Sequence, residues 1–278
     1  MQTTGNKTYD RTLTVALAVT SLQLVLAKYQ SKAPYGKFGG KPSAGVSLDP
    51  RFGWWFMELP ATLSFLYNFW QGRKNKRAKN DDDAVGPSST TSKVLMLLWC
   101  IHYANRGWYF PLTIRVAEGG AQNFALFNSS IGAVFLSVHG YLNARMFSEF
   151  GTKYTDAWLS DPRFLAGIFI YEIGFWITVH SEYIMRNLRP AGEVISASNR
   201  YKIPTGGLYE YVTNPAYFGE LTAWTGMAIL TWSPSVLPVL FISLANLVPR
   251  SFEQHKWYLK KFGENYPKDR KVLIPFVL

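Results

Sequence analysis

The stretch LTAWTGMAILTWSPSVLPVLFISLANLVP, Leu221 to Pro249, runs for 29 residues without a charged side chain. A helix crosses the hydrocarbon core of a bilayer with about 20 mainly apolar residues, so this run exceeds one crossing. Pro234 and Pro238 stand in its middle. Proline lacks a backbone N–H and suits a helix's first turn better than its interior, so the run is read as two spans joined at SPSVLP.

Working outward, charges cluster and leave similar gaps. Thr12–Ala27 and Gly119–Ala144 carry none. Phe52–Gly72 carries only Glu58, Val94–Ile114 only Arg106, and Phe164–Ser181 only Glu172. With the divided run this makes seven spans, and the expected fold is an all-α, polytopic membrane protein. It is a seven-transmembrane-helix bundle with a cytoplasmic C-terminal segment, residues 1–278 forming one domain. Composition agrees: 48% of residues are hydrophobic and 17% charged, against about a quarter charged in soluble domains. The mean hydropathy of −0.03 is pulled down by charged connectors, and a large soluble α/β domain is the alternative.

Lys and Arg counts in alternate connectors orient the bundle. The connectors on the C-terminal side hold 17, those on the N-terminal side 11. The positive-inside bias puts the C-terminus in the cytoplasm and the N-terminus outside, in a bacterial inner membrane or endoplasmic reticulum. The opposing cluster, RKNKRAKNDDDAVGPSSTTS (Arg73–Ser92), reads as a solvated connector. MQTTGNKTYDR does not resemble a removable signal. The net charge of +11 is accounted for by membrane lipid and an anionic cofactor, without nucleic acid. Cys100, the one cysteine, excludes an internal disulfide. Four scattered histidines without metal-binding spacing argue against a metal.

Ionisable residues inside spans are costly and point to function. Glu58, the HYANR run with His102, Tyr103 and Arg106, Glu172, and the pair His180 and Glu182 stand out. The competing explanation is a helix-packing hydrogen bond or a side chain reaching the interface, strongest for Glu172 and His139. Glu58 lies too deep in its gap for the latter. Burial disfavours an ionised carboxylate, so Glu58 is expected as a neutral acid able to donate a hydrogen bond. With the phenol of Tyr103 it forms a candidate pair of donors for a ligand carbonyl oxygen.

A second constellation occupies the polar C-terminal segments. Arg186, Arg189, Lys202, Arg250 and His255 occur with Tyr201, Tyr258, Gly206, Gly207 and Asn214. Basic groups suit phosphate oxygens, aromatic faces can stack on a base, and glycine admits close backbone approach. No GxGxxG follows a strand, which argues against a Rossmann site. A basic patch against lipid headgroups is the plainer account.

HSEYIMRNLR, YKIPTGGLYEYV, FGELTAWTG and HKWYLKKFGENYPKDRKVLIPF, together with PYGK (Pro34–Lys37), WFMELPA around Glu58, and HYANR, resemble in order the steroid 5-alpha-reductase family. These are NADPH-dependent 3-oxo-5-alpha-steroid 4-dehydrogenases, and the likeness runs through nearly the whole chain. It implies a bundle with a substrate cavity open to lipid and a cofactor, NADPH, entering from the cytoplasm. The family's carbonyl-binding glutamate and tyrosine fall on Glu58 and Tyr103, and its substrate-side motifs include Tyr35 and Trp54. Its cofactor-side residues fall on Arg115, Glu182, Arg186, Arg189, Tyr201, Lys202, Glu220, Arg250, His255 and Tyr258, with Asn214 beside them. The resemblance implies reduction of the 4,5 double bond of a 3-oxo steroid, by an enzyme expected to be a monomer without metal.

Three positions depart from the pattern. Met57 replaces a glutamine, Thr178 an asparagine, and Ala216 an asparagine before the aromatic. NPAYFGE also resembles the NPxYxG stretch of isoprenylcysteine carboxyl methyltransferases, which would use S-adenosylmethionine and need neither Glu58 nor HYANR. Reduction of another lipid enone and non-enzymatic sterol binding are further alternatives.

Overall fold

The computed structural model describes residues 3–29, 46–79, 89–116, 124–190, 192–193 and 201–278. Their long helices fall on the uncharged gaps: α1 (Lys7–Leu26), α2 (Pro50–Lys79), α3 (Thr90–Tyr103), α5 (Leu126–Arg145), α6 (Pro162–Arg186), α7 (Pro215–Thr231) and α8 (Leu237–Phe262). A π-helical segment, Ala104–Tyr109, leads from α3 into the short α4 (Phe110–Thr113). Strand structure among the described residues is one antiparallel pair, β1 (Ser47–Leu48) with β2 (Phe124–Ala125). The all-α expectation holds, and the proline-marked division of the last run falls between α7 and α8. Trp232 ends α7 in the left-handed region, at φ 45°, and Pro238 stands in the first turn of α8.

Among the described residues one helix, α6, is long and apolar enough to cross a membrane by length and composition. The other gaps form helices but miss that measure for local reasons. α3 stops at 14 residues where the π segment begins, and α7 has 17. α1, α2, α5 and α8 mix polar side chains into their apolar runs. The basic run Arg73–Lys79, expected as a connector, instead continues α2. Arg, Lys and Ala favour helix, and Asn75 fastens this end by donating to Glu149, itself paired with Arg145. Residues 80–88 of that connector lie outside the described residues.

Aromatic stacking joins α2 to α3, with the Phe65 and Trp99 rings parallel at 4.4 Å and the Trp99 indole donating to the Ala61 carbonyl. His139 behaves as a packing residue. Its Nδ1 meets the Asn143 amide, and Asn143 also bonds Ser235 in the α7–α8 turn.

Helices α6 and α7 meet backbone to backbone. Gly167 and Gly174 on one, and Gly219 and Gly226 on the other, are each seven residues apart, a spacing that keeps them on one face. A methyl group at Gly174 would lie 2.3 Å from the Ala223 nitrogen, and one at Gly226 2.3 Å from the Tyr171 nitrogen. Small residues permit such contact between membrane helices. Gly226→Ala or Gly174→Ala is expected to lower stability by about 1–3 kcal/mol through overpacking. Thermal unfolding in detergent checks this, and an unchanged midpoint in both would overturn the close-contact account.

Asp161 caps α6. Its Oδ1 accepts from the Arg163 N–H at 2.9 Å, and both carboxylate oxygens receive the Arg163 guanidinium. Chiefly these side-chain bonds hold its carboxyl down to about 2. Because the folded value lies below the unfolded one, the contribution is complete above about pH 4 and is lost as pH falls through the folded value. Asp161→Asn keeps a capping oxygen but no charge, so it should flatten the fall in unfolding midpoint as pH drops from about 4 to about 2.

Candidate active site

The π segment decides which side chains meet. Inserting wide turns after Tyr103 turns Asn105 and Arg106 towards α6 and α7, and such segments recur at functional sites. The segment lies against α2 at Gly107, where an added Cβ would sit in ordinary contact, 3.4 Å from the Glu58 Cβ. Arg106 then bridges two helices. Its Nε lies 3.1 Å from Glu58 Oε1 on α2, and its Nη1 lies 3.2 Å from Glu220 Oε1 on α7. Glu58 is 1% and Glu220 6% exposed at the side chain, against 30% for Arg106. The charges meet where water is scarce, so the partners are strongly interdependent.

Neighbours hold this centre in place. The Trp224 indole donates to Glu220 Oε1 at 2.8 Å. The Arg106 guanidinium lies over the Trp54 ring, whose Nε1 donates to the Arg106 carbonyl. Tyr103 is buried within electrostatic reach of Glu58, Arg106 and Glu220, and no hydrogen bond joins it to Glu58. The second Glu58 oxygen, Oε2, is buried without a partner, as is His102 Nε2.

Beside the centre lies a small cavity of about 10 Å³, lined by His102, Asn105, Arg106, Phe175, Thr178, Glu182, Glu220 and Ala223. A cavity of that size holds about one water molecule, so a ring can enter only if the lining side chains move apart. Asn105 donates to Glu182 Oε2 at 3.2 Å, and Arg186 lies 3.9 Å from the same oxygen with its guanidinium over the Tyr109 ring. The Thr178 hydroxyl turns away, donating to the Gly174 and Ala216 carbonyls. Met57 lies against Gly132, where an added Cβ would meet its Cγ at 2.6 Å, so it packs α2 on α5.

The remaining candidates form a polar zone at the ends of α6–α8. Arg115 donates to the carbonyls of Arg189 and Pro190. Lys202 pairs with Glu193 at 2.9 Å, and Tyr201 meets Trp257 edge to face. Arg250 donates to the Tyr217 hydroxyl at 3.0 Å. His255 Nδ1 meets the Thr213 hydroxyl, which also meets Tyr266, and Tyr258 stacks on Tyr266. Asn214 donates to the Ser251 and Val272 carbonyls, tying the C-terminal segment to α8. Tyr35 and the rest of PYGK lie outside the described residues. Glu172, singled out in the sequence, stays on its own helix and accepts from Trp176.

Sequence reasoning flagged Arg106 but missed its bridging role, and it did not select Asn105 or His102 as cavity residues. Arg106 being the sole charge in its gap was the available signal. Among the described residues no group of acidic, histidine or cysteine side chains could hold a metal ion.

Comparison with known proteins identifies the family. Residues 122–278 match the family model described as 3-oxo-5-alpha-steroid 4-dehydrogenase. The chain is 36% identical over 249 residues to 3-oxo-5-alpha-steroid 4-dehydrogenase 1 of Mus musculus, covering 88% of this chain and 87% of that protein. It is 35% identical over 248 residues to the Homo sapiens protein of that name, covering 89% and 87%. Against a steroid 5-alpha-reductase of Gossypium hirsutum it is 33% identical over 263 residues, covering 95% of each. The chain is thus an oxidoreductase of helical architecture. The chain belongs to the 3-oxo-5-alpha-steroid 4-dehydrogenase family.

Removing the Arg106 guanidinium leaves two buried carboxylates facing each other. Arg106→Met is expected to cost about 3–5 kcal/mol, the range for breaking a buried pair from one side. Adding Glu58→Gln and Glu220→Gln should recover a large part of that loss. Unfolding midpoints of the single and triple variants check this, and no recovery in the triple variant would overturn the bridging account.

Proposed function

We propose that the protein reduces the 4,5 double bond of 3-oxo-Δ4 steroids to 5α-3-oxosteroids with NADPH. The observation that carries this reading is the buried Glu58–Arg106–Glu220 bridge, with Glu58 Oε2 unsatisfied and Tyr103 buried within its electrostatic reach. The relatives' names, which specify 3-oxo-5-alpha-steroids, support it. The seven long helices are read as spans, with the N-terminus outside and the polar ends of α6–α8 in the cytoplasm.

When bound, NADPH supplies hydride, which adds to steroid carbon 5. Asn105 and Glu182, at the cavity beside Arg106, offer the donor and acceptor that its nicotinamide carboxamide needs once the lining side chains part to admit the ring. Arg186, Arg189, Lys202 and Arg250 are the residues that would hold its phosphates. The chain's own task is to make the enone accept hydride, which happens only if charge can move onto the 3-oxo oxygen. Arg106 engages Glu58 through Oε1, leaving Oε2 to carry a proton towards that oxygen, with the Tyr103 phenol as second donor. Both stabilise the enolate, and a proton then adds at carbon 4. The product is a saturated ketone: the hydride's electron pair forms the C5–H bond, and the pair of the former double bond, held in the enolate, forms the C4–H bond when a proton from solvent adds there.

Loss of one oxyanion donor costs about 2.7–4 kcal/mol, roughly a hundred- to thousandfold in kcat. Glu58→Ala should show that loss and Glu58→Gln, which retains a donor, a smaller one. Product analysis of purified protein with NADPH and testosterone or progesterone checks the reading. Absence of the 5α-reduced product in the wild-type protein, or full activity in Glu58→Ala, would overturn it.

A further inference from the structure

Arg270 stands outside every role assigned so far, and its surroundings are unusual. Its side chain is 1% exposed, yet Nε, Nη1 and Nη2 are all buried without a hydrogen-bond partner. A guanidinium carries five N–H donors in a fixed fork matched to phosphate or carboxylate oxygens. Burying them unused costs the desolvation of a charged group, more than the loss of an ordinary hydrogen bond. The nearest acidic oxygen, Glu210 Oε2, is 4.0 Å from Nη2, beyond hydrogen-bond reach, and the Glu210 side chain is 52% exposed. Glu210 meanwhile accepts from the Gly206 N–H in the turn made by Gly206 and Gly207, both at positive φ.

The setting belongs to the polar zone. Arg270 lies over the Tyr266 ring, with 5.5 Å from its guanidinium carbon to the ring centre, and it acts electrostatically on Tyr209 and Tyr258. Lys271 is fixed by backbone bonds to Tyr211 and Thr213, so the Arg270 backbone is anchored on both sides. The result is a rigidly placed, buried cation whose sole acidic neighbour within ion-pair range among the described residues is a solvent-exposed side chain held just out of contact.

Resting on the functional reading above, we propose that Arg270 is an anchor for a phosphoryl group of the dinucleotide, and that Glu210 is its place-holder. The carboxylate swings towards solvent, the phosphoryl oxygens take the guanidinium donors, and the Gly206 N–H released by Glu210 becomes a further donor. Binding is therefore an exchange of one anion for another, with no covalent change.

The test uses full-length protein in lipid-free maltoside detergent and measures binding of NADPH and, separately, of pyrophosphate, by calorimetry. Circular dichroism and unfolding midpoints monitor the fold. R270Q should weaken both ligands by about ten- to a hundredfold, as expected for loss of a charged hydrogen-bonding partner, while R270K should lose less. E210Q should bind both ligands at least as tightly as wild type, because the competing charge is gone. If Arg270 served only to pair with Glu210, E210Q and R270Q would weaken binding and stability alike, which would overturn the proposal. Equal NADPH and pyrophosphate affinity in R270Q and wild type would also overturn it. An R270Q effect that appears only after adding phosphatidylglycerol would reassign the anion to a lipid headgroup and overturn the cofactor role. Should wild type bind pyrophosphate through Arg270 but not NADPH, the anchor would stand as an anion site while its dinucleotide assignment and the reductase reading would fail.

Discussion

The contact between α6 and α7 is the constraint on which the site depends. Four glycines at seven-residue spacing bring the two backbones within a distance that excludes even a methyl group. Side chains projecting beside that seam therefore have little freedom to drift. Thr178 and Glu182 on α6, and Glu220 and Ala223 on α7, face a common space because the helices cannot separate or rotate without losing it. Hydrophobic burial alone would not give this precision, because it is non-directional. Close packing and interhelical hydrogen bonds carry the association instead.

On that fixed surface the π segment lays Arg106, and here electrostatics takes over from packing. One guanidinium serving two buried carboxylates leaves a single net negative charge if both are ionised, and none if one carries a proton. A medium of low dielectric constant favours the second arrangement. Glu220 is further supported by the Trp224 indole, whereas Glu58 Oε2 has no partner. The free oxygen of Glu58 is therefore the one buried carboxyl oxygen of the bridge left unengaged. The shared arginine thus leaves the two carboxyl groups in unequal surroundings.

Helical architecture was legible in the sequence because charge exclusion over 20 or so residues has few other causes. Each expected gap became a helix, and the paired prolines marked a real break. What local pattern did not contain was the reach of those helices: the basic run after Gly72 reads as a solvated connector, but its residues are good helix formers, and a tertiary tie from Asn75 to Glu149 extends α2 through it. The site was legible in its deep acid and in HYANR, since an ionisable residue in a span is costly wherever it points. Pairing was not. Whether Glu58 meets Tyr103 or Arg106 depends on a π segment that shifts the angular position of every following side chain, and no periodicity in HYANRGWY announces one.

Departures from the family pattern become intelligible in the same terms. A glutamine at position 57 would present an amide where Met57 now fills the space against Gly132, and α5 approaches α2 accordingly. An asparagine at position 178 would have an amide to offer the cavity, whereas the threonine hydroxyl is consumed by the Gly174 and Ala216 carbonyls. The cavity still contains a side-chain amide, because Asn105 enters from the opposite wall and reaches Glu182. A polar requirement set by the space between helices can therefore be met from either side of it. That is why the chemistry of the lining is better read from the assembled cavity than from any one position in the chain.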